Sequence, residues 1–140
     1  MGFELFNTIF PVILTDNGKE FSDISGMELT KDKKRQRCKI FFCEPNRSDQ
    51  KGSCETTHKM IRYVIPKGTS LEPYVQEDIN LMMNHINSYK RKALFGKSAL
   101  DLAKAVLPKD FFTLLGIEEI PSEKIILKPS LLDKKKNHLN

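Results

Sequence analysis

Two carboxylates, Asp16 and Glu55, stand where a chain could hold a metal ion. Asp16 follows the β-prone run Pro11-Val12-Ile13-Leu14-Thr15 and precedes Asn17-Gly18, a strong turn signal. It is therefore expected at the C-terminal end of a buried strand, where a rigid backbone fixes a ligand. Glu55 is expected in the first turn of a helix that Ser53 opens as N-cap and that ends before Pro66. On that helix Glu55, His58, Lys59 and Arg62 recur at i, i+3, i+4 and i+7 and share one face. Cys54, Thr57, Ile61 and Val64 share the other. One acid beside three potential cations suits a site where a carboxylate holds Mg²⁺ while the cations meet phosphates. Each acid also has a plainer use, Asp16 as a turn former and Glu55 as complement to the helix dipole.

The elements that must position these residues follow from periodicity. Phe3, Leu5, Phe6 and Ile9 suit one face of a helix over residues 2–9. Residues 31–39 carry six basic side chains (Lys31, Lys33, Lys34, Arg35, Arg37, Lys39) against one acid. That run leads into Ile40-Phe41-Phe42-Cys43, a second strand, and residues 44–52 read as loop. Val75, Ile79, Met82, Met83 and Ile86 mark one face of a helix over 75–89, with Glu77 and Asp78 in its first turn. Ser98 and Asp101 form a capping box for a helix bearing Leu100, Ala103, Val106 and Leu107, which Pro108 ends. Phe111, Phe112, Leu114 and Leu115 predict a short helix with Gly116 as its C′ residue. The tail holds a β-prone patch, Ile125-Ile126-Leu127, and a basic end at Lys134-Lys135-Lys136. Strands thus fall in the first third and helices after it.

A length of 140 residues bounds the chain to about one domain, and 39% apolar with 29% charged residues argues against wholesale disorder. A net charge of +5 and a pI near 9.1 favour an anionic partner. Three cysteines without framework spacing read as reduced thiols. The opening residues lack a basic n-region, contain Glu4 and meet Pro11, which is unlike a signal peptide. With no run near the ~20 apolar residues of a span, a soluble cytoplasmic protein with no membrane partner is expected. Cys38, Cys43, Cys54 and His58 loosely match a zinc pattern. A strand from Cys38 to Cys43 would hold the two thiols about 17 Å apart on opposite faces, which forbids a shared ion.

The run Leu14-Thr15-Asp16-Asn17-Gly18-Lys19-Glu20-Phe21 resembles the "TDNGxEF" second-aspartate motif of DDE transposases and retroviral integrases. Gln50-Lys51-Gly52-Ser53-Cys54-Glu55 resembles the segment around the third acid of that group. Met60-Ile61-Arg62, Ile65-Pro66-Lys67-Gly68-Thr69, Gln76-Glu77-Asp78-Ile79-Asn80, Ile86-Asn87-Ser88 and Leu94-Phe95-Gly96-Lys97 are similar to the IS-thirty family of insertion-sequence transposases. The similarity runs from about residue 10 to about residue 132.

The resemblance implies an α/β, ribonuclease-H-like fold in which three acids surround two divalent metals, Mg²⁺ or Mn²⁺. Two cations about 3.5–4 Å apart can stabilise both the entering and leaving oxygens of an in-line displacement at a phosphodiester. On this reading Asp16 and Glu55 are catalytic metal ligands. Lys19, His58, Lys59, Arg62, Lys90, Arg91 and Lys92 contact DNA, and the partners are transposon ends, target DNA and further copies of the chain. Residues 1–70 are the C-terminal part of an integrase-like catalytic core, and 71–140 a helical C-terminal segment with its basic tail. The pattern's first aspartate has no counterpart here, since Glu4 is the sole acid before Asp16. His58 stands where the family usually has Asn, and the 38 residues between Asp16 and Glu55 exceed the spacing of many relatives. A truncated, catalytically inactive and marginally folded chain is therefore expected, with exposed apolar faces. The alternative is a non-catalytic DNA-binding remnant or an inhibitor of a full-length transposase.

Overall fold

Helix α1 (Phe3–Ile9) forms where the apolar spacing places it, and β1 (Val12–Thr15) follows directly. The computed structural model describes residues 2–44 and 52–133 and divides into two compact units, Met1–Gly52 and Ser53–Asn140. In the first unit β1 runs through the short helix α2 (Ile24–Glu28) to β2 (Lys39–Phe42). The two strands pair in parallel, with Val12 opposite Lys39 and Thr15 opposite Phe42. A parallel pair needs a crossover, and residues 16–38 supply it.

Cations clamp α1 onto the returning chain. The Arg35 guanidinium lies 4.1 Å from the centre of the Phe3 ring, and that of Arg37 lies 4.9 Å from Phe6. Arg37 Nε also donates to the Met27 carbonyl at 2.8 Å, and Asn7 donates to the Arg37 carbonyl at 3.0 Å. Part of the basic run thus has a structural use on aromatic faces.

The expectation of a buried first strand is not met. Thr15 is buried, but Val12 and Leu14 are exposed, as are Phe41 and Phe42. Paired residues share a face, so Leu14 and Phe41 form an uncovered apolar patch. The reason is architectural: two strands with one short crossover helix leave a face that nothing among the described residues of this unit covers.

The second unit holds the larger core. Helix α3 (Gly52–Val64) contributes Met60 and Val64, followed by Ile65, and α4 (Gln76–Ser88) contributes Met82 and the fully buried Ile86. Leu131 and Leu132 close the cluster from the C-terminal segment. Burying a side chain the size of Ile86 stabilises the fold by about 1.5–3 kcal/mol. Helix α5 (Ala99–Val106) has the predicted capping box: Asp101 N–H donates to Ser98 Oγ at 3.0 Å, and Ser98 N–H to Asp101 Oδ2 at 2.8 Å. Hydrogen bonds to the carboxylate from the Ser98 backbone N–H and then from its hydroxyl hold the Asp101 carboxyl below its ordinary pKa. Helix α6 (Lys109–Leu114) ends on Gly116, whose φ of +61° is left-handed. Gly116 N–H reaches the Thr113 carbonyl and Ile117 N–H the Phe112 carbonyl, the paired bonds of a Schellman motif.

Some sequence expectations shift. Val75 caps α4 but stays exposed, and Cys54 is exposed because the first turn of α3 lies beyond the core. Val106 is exposed because it lies about 120° round the helix from Leu100, whereas Ala103 and Leu107 lie within about 60° of it. Leu114 and Leu115 are exposed at the end of a helix too short to bury two faces. Ile125-Ile126-Leu127 makes no strand and instead runs along α4. Residues 45–51, expected as loop and including Gln50 and Lys51, and the basic end at 134–136 lie outside the described residues, whereas Ser53, expected as the N-cap, falls inside α3, which begins one residue earlier at Gly52. No described helix is long and apolar enough to cross a membrane.

Candidate functional site

Asp16 leaves the carboxyl end of β1, where Thr15 still pairs with the neighbouring strand through Cys43 N–H to Thr15 O at 2.7 Å. Its Oδ1 accepts from Gly18 N–H at 3.4 Å, so the Asp-Asn-Gly sequence bends the chain as expected. A single 3₁₀ turn, Lys19–Phe21, follows and leaves Lys19 exposed. Loops beyond the carboxyl ends of parallel strands are where ligands are commonly met in α/β sheets. Glu44, just past the end of β2, brings a second exposed carboxylate to that same edge of the sheet. By sequence Glu44 is a loop residue like any other, because only the parallel register reveals which strand ends are neighbours. Beside Asp16, the buried Thr15 hydroxyl has no hydrogen-bond partner among the described residues.

In the second unit, Glu55, His58, Lys59 and Arg62 are all exposed on α3, while Met60 and Val64 bury its other side. The helical spacing therefore yields one polar face. Its three nitrogen-bearing side chains stand within two turns of one carboxylate, an arrangement able to meet phosphates. Lys90, Arg91 and Lys92 lie on the loop that joins α4 to α5. Lys90 and Lys92 are exposed; Arg91 is half-buried, and its Nε is buried without a partner among the described residues.

A polar row on α4 holds the chain that follows α6. Asn84 Nδ2 donates to the Gly116 carbonyl at 3.3 Å, and its Oδ1 accepts from Glu118 N–H at 3.2 Å. Ser88 Oγ accepts from Ile120 N–H at 2.9 Å, and His85 Nδ1 from Ile126 N–H at 3.0 Å. No local pattern marks these three residues, since their partners lie 32 or more positions away.

Asp16 and Glu55 carry the hard oxygen donors that Mg²⁺ prefers. Among the described residues, however, no group of three His, Cys, Asp or Glu side chains gathers to hold a metal. The donor chemistry of the two carboxylates fits the ion. Cys38 and Cys43 flank β2, and Cys38 Sγ donates to the Met27 carbonyl at 3.4 Å, its thiol pKa pushed up by burial.

Comparison with known proteins gives a consistent answer. The chain is 36% identical over 69 residues to the transposase of insertion sequence IS1086 from Cupriavidus metallidurans, covering 49% of this chain and 20% of that protein. It is 33% identical over 82 residues to the transposase of IS4351 from Bacteroides fragilis, covering 59% of this chain and 24% of the relative. It is 34% identical over 64 residues to InsI, an IS30-element transposase of Escherichia coli, covering 46% and 17%. The matched segments thus span about a fifth of the length of these relatives. No family model matches, and no solved structure matches. Over roughly half its length, this chain is similar to insertion-sequence transposases, IS30 transposases among them.

Proposed function

We propose that this chain serves DNA transposition as part of a metal-dependent DDE enzyme with a ribonuclease-H-like catalytic core. Residues 1–70 would form the C-terminal part of that core, and 71–140 its helical extension. The observation that carries the reading is Asp16: the Thr-Asp-Asn-Gly motif lies at the carboxyl edge of a parallel strand pair, in a chain similar to insertion-sequence transposases. Asp16 and Glu55 take the role of metal-ligating carboxylates toward Mg²⁺ or Mn²⁺. The bound metals would supply Lewis-acid stabilisation of the oxygens at a scissile phosphodiester. Lys19, His58, Lys59, Arg62, Lys90, Arg91 and Lys92 supply cations for the DNA backbone.

DNA binding is the part to test first. Labelled duplex is titrated with the full chain at several salt concentrations, read by fluorescence anisotropy. Phosphate contacts predict that log K falls with log salt by about 0.9 for each phosphate neutralised. Lys59→Gln and Arg62→Gln should each weaken binding and flatten that slope. A slope near zero in the parent chain would leave the cations as ordinary solvated surface and end the DNA reading.

The second reading, a non-catalytic DNA binder that interferes with a complete transposase, draws on the exposed cations of α3 and of the loop between α4 and α5, which need no metal to meet phosphates. Nicking of supercoiled DNA with Mg²⁺ or Mn²⁺ separates the two. Cleavage lost in both Asp16→Asn and Glu55→Gln favours the enzyme. Binding without cleavage is expected of an inactive part of the enzyme as well, and favours the interfering binder only when adding the chain also lowers the activity of a complete transposase.

A further inference from the structure

Phe95 is 97% exposed, the most exposed of the large apolar side chains among the described residues. It does not sit on a frayed end. The loop between α4 and α5 is closed at its base by Arg91 N–H donating to the Lys97 carbonyl at 3.0 Å. Inside it the Arg91 carbonyl accepts from both Leu94 N–H and Gly96 N–H, at 3.0 Å each, and Phe95 N–H donates to the Lys92 carbonyl at 3.0 Å. The loop is further fixed by the Ser98 cap of α5, which follows at once.

Phe95 itself has φ +54° and ψ +38°, the left-handed region that bulky side chains rarely adopt. Gly96, at φ +79°, completes the reversal. A tightly bonded turn thus holds an aromatic ring out in water, in a disfavoured backbone state, against the usual drive to bury it. Around the ring the sequence offers only cations: Lys90, Arg91, Lys92 and Lys97, with no acid between Tyr89 and Lys97. Lys90 lies near enough to Asp101 to help lower that carboxyl's pKa, but Lys92 and Lys97 have no carboxylate partner among the described residues.

We infer that this loop is a nucleic-acid contact in which Phe95 stacks on an unpaired or unstacked base while Lys90, Lys92 and Lys97 meet the flanking phosphates. A polyanion answers the cations, and a base face answers the ring; every base has such a face, so the contact needs no sequence. In an intact duplex those faces are covered by their neighbours. The loop therefore prefers single-stranded DNA, or a duplex opened at a gap or kink, over intact duplex. This rests on the DNA reading given above and adds to it the form of DNA and the residue that recognises it.

The chain contains no tryptophan, so Phe95→Trp installs a sole reporter at the tip. Full-length parent, Phe95→Ala, Phe95→Leu and Phe95→Trp are titrated against labelled single-stranded, gapped and intact duplex oligonucleotides. The ring touches almost nothing, so matching circular dichroism is expected for all four. Phe95→Ala and Phe95→Leu should both weaken single-strand and gapped binding by about tenfold, leaving intact duplex and the salt slope little changed. Indole emission from the Phe95→Trp chain should be quenched as single strand saturates.

Single-strand affinity of Phe95→Ala within about twofold of the parent, or unquenched emission at saturation, would overturn the stacking role while the DNA reading stood. Full single-strand affinity of Phe95→Leu would replace stacking by a simple apolar contact and overturn it too. Emission that changes with protein concentration and not with DNA would assign the ring to a second copy of the chain. Absence of DNA binding by the parent would remove both readings together.

Discussion

Replacing His85 tests whether α4 holds the C-terminal segment as the geometry indicates. The imidazole is buried, and its Nδ1 accepts the Ile126 amide proton at 3.0 Å, across 41 positions of sequence. His85→Leu keeps the bulk and removes the acceptor, leaving a part-buried amide unpaired. That should cost about 1–3 kcal/mol. The pH dependence gives a second, independent reading. Burial holds the folded-state pKa of His85 below its ordinary value of 6.5. Between the two values the unfolded chain binds more protons than the folded one. Stability is therefore fully present above pH 6.5 and falls as the pH drops through it, until the folded-state pKa is reached. The slope cannot exceed about 1.4 kcal/mol per pH unit for one proton. Urea unfolding followed by circular dichroism on both sides of that window measures the effect. The carboxyls of Asp32 and Asp101, whose pKa values lie below 3.8, lose their contribution only in stronger acid and do not overlap it. Equal midpoints at mildly acid and neutral pH in the parent, or an unchanged acid slope in His85→Leu, would refute the reasoning. So would an NMR titration placing His85 above its ordinary value.

Three further outcomes are expected. Ile86→Ala, at the most buried position of the core, should destabilise the second unit by about 2–5 kcal/mol in the same urea assay, because a cavity is left beside Met82 and Val64. Ser98→Ala removes the acceptor of the Asp101 amide proton and should cost about 1 kcal/mol, whereas Ser98→Thr should cost less. Leu14→Thr with Phe41→Thr should leave the unfolding free energy within about 0.5 kcal/mol of the parent while reducing self-association in sedimentation, since both side chains are exposed on one face of the sheet.

Much of the local structure was legible from the residues alone. The Ser98–Asp101 box, the Gly116 stop, the strand after Pro11 and the helix over 76–88 depend on neighbours within a few positions, which sequence displays directly. The shared face of Glu55, His58, Lys59 and Arg62 was legible for the same reason, and so was the likeness to transposases, carried by ordered motifs such as Thr15 to Phe21. Burial was another matter. Cys54, Val75 and Val106 fit apolar positions by spacing yet lie in solvent, because spacing says which way a side chain points and not whether anything stands there.

Only the tertiary structure decided the rest. The parallel register brought Glu44 to the sheet edge that Asp16 occupies, a neighbourhood with no signature in the sequence between them. The alignment of Asn84, His85 and Ser88 beneath distant amides made three unremarked polar residues into a clasp. Phe95, one of nine phenylalanines in the chain, became distinctive only when the loop around it closed and turned it outward. In each case the deciding contact joins residues whose separation, or whose exposure, the local pattern does not encode. Local hydrogen bonds and periodicity are properties of a segment, whereas burial and register belong to the whole packed chain.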